Sequence, residues 1–179
     1  MTSPVLLDID GLTLAAGHGH TVVSQASMQV ARGEIVGVVG ESGSGKTMLG
    51  RAILRLTPQA IDRAGGDIKV EGTSVFGLRP AQLRALRGPK VAMVFQEPMT
   101  SLTPSLTVGQ QLAEGLEQHV PAERATHRDR IEAMLRRVGL RDVSRVLDAY
   151  PHEFSGGMRQ RIMIASAMLL RPALLIADE

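Results

Sequence analysis

The chain has no cysteine and no tryptophan, and only Phe76, Phe95, Phe154 and Tyr150 carry aromatic rings. The missing thiols exclude disulfides, thiolate metal sites and cysteine nucleophiles, and are compatible with cytosol. With so few rings the core must be aliphatic, built from Leu, Ile, Val, Ala and nine Met, and little is left for stacking on nucleic-acid bases. No run approaches the roughly 18 to 20 apolar residues that span a bilayer. Asp8 and Asp10 interrupt the only early apolar stretch, so no signal peptide is read. An excess of one charge is lacking as well: 20 basic residues face 18 acidic ones, for a net +2. The basic residues are mostly Arg and are dispersed along the chain, which argues against a nucleic-acid partner.

The remainder is ordinary globular composition, and the 179 residues suit about one domain. Residues 5–14 and 22–30 read as two strands around the turn Gly17-His18-Gly19-His20. Residues 35–39 are short, continuous and β-branched, the pattern of a parallel strand buried on both faces. A glycine-rich turn leads into a helix over about 46–56, ended by Thr57-Pro58. Gly65-Gly66 marks a turn before a short strand at 67–71, 80–86 reads as a short helix, and 91–95 as another buried strand. From about 105 to 146 the spacing becomes helical, as in Ile131, Met134, Leu135 and Val138, with Gly139 at a C-cap position. A further helix runs to about 170, Pro172 stops it, and 173–177 is a last buried strand.

Gly40-Glu41-Ser42-Gly43-Ser44-Gly45-Lys46-Thr47 fits G-x-x-x-x-G-K-[ST] and lies between a predicted strand and a helix that continues into Met48. Glycines there let successive N–H groups converge on phosphate oxygens, and the helix start adds its positive dipole end. Lys46 is expected to reach the β- and γ-phosphates and Thr47 to ligate Mg²⁺. At the far end an apolar strand runs into Asp178-Glu179. Alone this reads as a solvated acidic turn; opposite a phosphate loop, Asp178 suits Mg²⁺ held through a water, and Glu179 suits the orientation and deprotonation of the attacking water. Ser155-Gly156-Gly157 is either a second anion-binding helix start or a plain Ser N-cap, and the residues alone leave both open.

The ordered series Gly40 to Thr47, Gln96, Phe154-Ser155-Gly156-Gly157-Met158 and Ala177-Asp178-Glu179 resembles the ATP-binding-cassette (ABC) ATPases along the whole chain. Phe95-Gln96-Glu97-Pro98-Met99-Thr100-Ser101-Leu102-Thr103-Pro104 and the stretch from Tyr150 to Arg161 are similar to the oligopeptide, dipeptide and nickel importer subfamily. The resemblance implies an α/β P-loop NTPase core with a parallel sheet, an antiparallel N-terminal β subdomain and a helical insert, incomplete at the C-terminal side. It divides the chain into 1–96 (nucleotide-binding core and β subdomain), 97–160 (helical subdomain) and 161–179 (return helix and acidic strand).

It further implies ATP and Mg²⁺ as cofactors, with residues 40–48 (Gly40, Glu41, Ser42, Gly43, Ser44, Gly45, Lys46, Thr47 and Met48) binding nucleotide. Thr47, Gln96 and Asp178 serve the metal, and Glu179, Lys46 and Gln96 serve catalysis. Ser155, Gly156 and Gly157 contact ATP held by a second cassette, identical or homologous. Implied partners are transmembrane permease subunits, which dock on the loop after Gln96, and indirectly a periplasmic or extracellular solute-binding protein. The implied location is peripheral, on the cytoplasmic face of the cell membrane.

The pattern departs from the family at Phe154 and Met158, where Leu and Gln are usual, and at Thr103 in place of Asn. The position of the usual adenine-stacking aromatic falls near Gly17-His18, where His18 and His20 are either the stacking ring or solvated turn histidines. Cassettes continue beyond the acidic pair with a dimer loop, further strands and a switch histidine. The expectation is that this polypeptide alone aggregates and hydrolyses little ATP. The alternatives are a soluble cassette ATPase acting on DNA or ribosomes, and a catalytically silent structural cassette.

Overall fold

A computed structural model describes residues 4–96 and 101–178. The described residues up to Arg87, together with Asp178, form one compact unit, and Gly88–Ala177 form a second.

The first unit is built on an antiparallel sheet of β1 (Val5–Ala16), β2 (His20–Ala31), β3 (Ile61–Val70) and β4 (Thr73–Ser74), in the order β2-β1-β3-β4. The central strand, β1, aligns Leu7 with Val30 on one side and Val70 on the other. Its Leu7, Ile9, Leu12 and Leu14 are almost wholly buried, as are Ile68 and Val75. This apolar face, rather than strand propensity, holds the sheet together.

Gly65-Gly66, expected as a turn, lies inside β3. The ladder to β1 slips there, and Gly66 adopts φ +76° with its backbone against Gly11. A glycine pair reads as a turn in sequence, but in a strand it marks a bulge where two backbones meet closely.

Helix α1 (Lys46–Ile53) is three residues shorter than expected. The chain turns at Arg55, φ +51°, with Arg55 N–H on Ala52 O and Leu56 N–H on Arg51 O. That is a Schellman cap closed by a non-glycine residue. Arg87, which follows α2 (Pro80–Leu86), donates to the carbonyls of Leu54 and Arg55 at 2.9 Å each. Burial and then the charge of Arg55 lower the Arg87 pKa below its ordinary value.

The largest departure is at 35–39. The expected buried strand pairs with no strand among the described residues, and Ile35 and Val39 are 98% and 95% exposed. A strand has no hydrogen bonds of its own. A β-branched run stays unpaired coil until a neighbour supplies the ladder.

The second unit carries α3 (Val108–His119), α4 (His127–Arg137), α5 (Val143–Asp148) and α6 (Gly156–Leu169), with short 3-10 turns at Pro121–Thr126 and Pro151–Glu153. Val108, Leu112 and Leu116 of α3, Ile131 and Leu135 of α4, and Ile162, Ala165 and Leu169 of α6 form its core. Gly139 closes α4 at φ +82°, as the sequence suggests. Strands β5 (Val91–Val94) and β6 (Leu174–Ala177) pair in parallel. All four residues of β5 are buried. β6 was expected to be buried on both faces, but it is half-exposed, with Leu175 at 42%. Among the described residues it pairs with β5 alone, and an edge strand is covered on one side only. No helix among the described residues is long and apolar enough to cross a membrane.

Candidate functional site

The glycine-rich segment leaves the extended stretch at 35–39 and ends where α1 begins. Ser44 N–H bonds Glu41 O at 3.2 Å, and Leu49 N–H bonds Gly45 O at 2.8 Å, which starts the helix. No side chain caps α1, because Gly45 is its N-cap and its first turn carries no acid. The dipole end therefore faces out through the loop, as an anion requires. Gly45 adopts φ +92°, and a Cβ there would meet the Val22 carbonyl of β2 at 2.6 Å. The loop thus rests directly on the sheet, which fixes its distance from β2.

Lys46 closes this loop on itself. Its Nζ donates to Gly40 O at 2.8 Å and to Glu41 O at 2.7 Å. The ammonium spans the loop from the helix side to its first residues, and among the described residues these two carbonyls accept from its three protons. Thr47, one residue on, donates its hydroxyl to Asp178 Oδ1 at 2.9 Å, across 131 residues of sequence. That bond brings a hydroxyl and a carboxylate together, both hard oxygen donors of the kind Mg²⁺ takes. No group of three or more His, Cys, Asp or Glu able to hold a metal exists among the described residues.

The other expected site residues lie in the second unit. Gln96 follows β5 at a surface bend. Ser155 caps α6 by accepting from Met158 N–H at 3.4 Å, so the N-cap reading holds as geometry. Gly156 and Gly157 would accept a Cβ with no atom within 4 Å. Their own fold does not require glycine, and each glycine in a helix costs about 1 kcal/mol relative to Ala. Glu179 lies outside the described residues, as do Glu97, Pro98, Met99 and Thr100 of the loop after Gln96. His20 begins β2 opposite Ala16 and is exposed, whereas the side chain of His18 is outside the description.

Sequence reasoning missed Arg87, which braces the end of α1, and Gln111, which binds the loop at 103–107. For Arg87 no local signal exists. For Gln111 the capping box of Thr107 and Gln110 places a helix start, and hence a glutamine one residue further on.

A profile of the family described as "ABC transporter" matches residues 23–179. The chain belongs to this family. The ABC transporter ATP-binding protein YejF of Escherichia coli, itself described as uncharacterized, is 46% identical over 178 residues, covering 97% of this chain and 34% of its own length. The dipeptide transport ATP-binding protein DppD of Haemophilus influenzae is 44% identical over 177 residues, covering 97% of this chain and 54% of its own. The chain thus spans about a third to a half of these relatives. Solved cassettes share the fold. A dimeric ATP-binding cassette in a post-hydrolysis state, bound to ADP and Pi, superposes with a TM-score of 0.82 at 25% identity, over 97% of this chain and 74% of that one. The cbiO1 protein of Clostridium perfringens, part of the cbiONQ transporter complex, gives 0.77 at 25% identity, over 98% and 65%. These likenesses agree with an α/β P-loop fold carrying an antiparallel β subdomain and a helical insert.

Proposed function

We propose that the chain is the nucleotide-handling part of an ATPase subunit that energises a binding-protein-dependent importer of peptides or related small solutes such as nickel. The observation that carries this reading is the convergence of Lys46, Thr47 and Asp178 on one glycine-lined helix start. Residues 40–48 bind the phosphates through backbone N–H groups. Lys46 exchanges its bonds to Gly40 O and Glu41 O for β- and γ-phosphate oxygens. Thr47 and Asp178 hold Mg²⁺, which neutralises phosphate charge when bound. Catalysis on this reading is chiefly electrostatic, from fixed donors aimed at oxygens where charge develops. Gln96 senses Mg²⁺ and the γ-phosphate, and Glu179 orients and deprotonates the attacking water. The exposed His20 at the start of β2 is the ring we assign to adenine stacking.

Ser155, Gly156 and Gly157 face ATP held by a second cassette, identical or homologous. Two glycines that their own fold does not need support an approach from outside the chain. The loop after Gln96 receives the permease, in a helical subdomain at 97–160, and the assembly sits on the cytoplasmic face of the membrane. The similarity to dipeptide and peptide transport proteins supports the solute class. Calorimetric titration with ATP and Mg²⁺ tests this reading. The parent chain binds and Lys46→Ala loses at least about tenfold in affinity, as expected for a charge-assisted contact of about 1.5–3 kcal/mol; equal affinities would refute it.

A further inference from the structure

The 103–107 turn and the start of α6 are joined by a series of bonds and contacts that the function above does not use. Gln111, half-buried in the first turn of α3, is the centre of it. Its Oε1 accepts from Thr103 N–H at 2.8 Å. Its amide donates to Thr103 O at 3.1 Å and Leu106 O at 3.0 Å, and more loosely to Thr107 O at 3.4 Å. One side chain thus holds both ends of the 103–107 turn against α3. A neutral side chain making this many bonds to one short backbone segment leaves that segment little freedom to move apart from the helix.

The next residues carry the connection across the unit. Val108 N–H donates to Ala149 O at 3.0 Å. A Cβ on Gly109 would meet Leu147 O at 2.8 Å and Leu147 Cβ at 3.3 Å, so α3 and the end of α5 are in backbone contact there. From Ala149 the chain enters a short, tightly bonded turn. Tyr150 N–H donates to the Glu153 carboxylate at 2.6 Å, Phe154 N–H bonds Pro151 O at 3.3 Å, and the Tyr150 and His152 rings stack at 5.8 Å. Phe154 is buried, and Ser155, the N-cap of α6, follows it.

We propose that Gln111 is a positioning residue for Ser155: it locks the 103–107 turn to α3, and the Val108–Ala149 bond and the Gly109–Leu147 contact carry any shift of that turn into the 150–154 segment that aims Ser155. The proposal rests on the reading of Ser155, Gly156 and Gly157 as the group that faces the partner cassette's ATP. It adds the route by which a push on the 103–107 turn reaches them. Gln111 does not touch nucleotide; it acts through Ser155.

Amide-resolved hydrogen exchange on this chain tests it, with Gln111→Ala, Gln111→Glu and Gly109→Ala beside the parent. In Gln111→Ala the Val108, Tyr150 and Met158 amides exchange about tenfold faster, while Leu116 and Ile162, in the helix interiors, keep the parent rate. Gln111→Glu retains the acceptor for Thr103 N–H but turns a second acceptor toward the Thr103 and Leu106 carbonyls, so it loosens the same amides. Gly109→Ala, which leaves the Gln111 bonds in place but forces Leu147 away, loosens Tyr150 and Met158 in the same way. Changes confined to 103–108 in these variants would overturn the proposal, as would an increase shared by all amides. If Gln111→Ala does not fold, the other two variants decide. ATP affinity is measured on the same samples. A parent that binds no ATP refutes the proposed function and leaves the exchange result standing, whereas unchanged Tyr150 and Met158 in a chain that binds ATP refute this inference alone.

Discussion

Alanine placed at the three glycines of the phosphate loop should separate backbone strain from steric contact. At Gly45 both operate. The residue sits at φ +92°, and the new methyl would lie 2.6 Å from Val22 O and 3.1 Å from Val23 Cγ2. A relaxed C···O contact is about 3.3–3.6 Å, so the loop and β2 must part by about 0.7 Å or more. The obstructing atom is backbone: Val22 is the extra residue of a bulge in the ladder to β1, and its neighbours Thr21 and Val23 are both paired, so it moves only with the strand. Left-handed backbone costs a non-glycine residue about 1–2 kcal/mol, and overpacking adds about 1–3 kcal/mol. Gly45→Ala should therefore lose about 2–5 kcal/mol, a large share of the roughly 5–15 kcal/mol that holds a domain together. Gly43, at φ +82° with nothing within 4 Å, has only the backbone part, about 1–2 kcal/mol. Gly40 has no positive φ, and its new methyl would meet Ser44 Oγ at 2.7 Å, a side chain free to rotate. Its cost should stay below about 1 kcal/mol. Urea unfolding followed by far-UV circular dichroism gives the ranking, with the Gly45→Ala midpoint falling by about 1 M or more. A Gly45→Ala midpoint at or above that of Gly43→Ala would refute the argument.

Two further outcomes follow from the second unit. Leu135 is fully buried between α3 and α6, so Leu135→Ala should destabilise by about 2–5 kcal/mol, read as a fall in urea midpoint with an unchanged slope. Glu132 accepts from Arg136 and then Arg128 on α4, and these bonds hold its pKa below the ordinary carboxylate value. A lowered folded pKa gives stability that is full above the unfolded pKa and is lost as pH falls through the folded one. The parent and Glu132→Gln stabilities should therefore converge on acidification. They should also converge in high salt at neutral pH, because the pair is exposed. A difference independent of pH would contradict this.

What the sequence made legible was the chemistry that is local. Gly40 to Thr47 reads as a phosphate loop because its residues carry the requirement within eight positions. The convergence of Thr47 with Asp178 was readable at a distance, because a loop that binds triphosphate calls for an acid at a strand end. The helical core was legible in the spacing of Ile131 and Leu135. The run at 35–39 was not, since its β-branched residues state a preference for pairing and say nothing of whether a neighbour is there to pair. Gly65-Gly66 misled for a related reason: the same residues serve a turn or a bulge, and only the approach of Gly11 from β1 distinguishes them. The early end of α1 escaped because its Schellman turn closes on Arg55, a non-glycine residue that carries no stop signal, and Gln111 escaped because the capping box of Thr107 and Gln110 marks the helix start but not the backbone that the next glutamine will hold.

The central claim, that Thr47 and Asp178 serve one cation beside the bound triphosphate, is tested most directly by a double-mutant cycle of Thr47→Val and Asp178→Asn, with ATP affinity measured with and without Mg²⁺. If they share the ion, each single change weakens Mg²⁺-dependent binding, the double variant is little worse than either, and the coupling exceeds about 1 kcal/mol; without Mg²⁺ the four proteins bind alike. Additive losses, or affinities that do not respond to Mg²⁺, would contradict it.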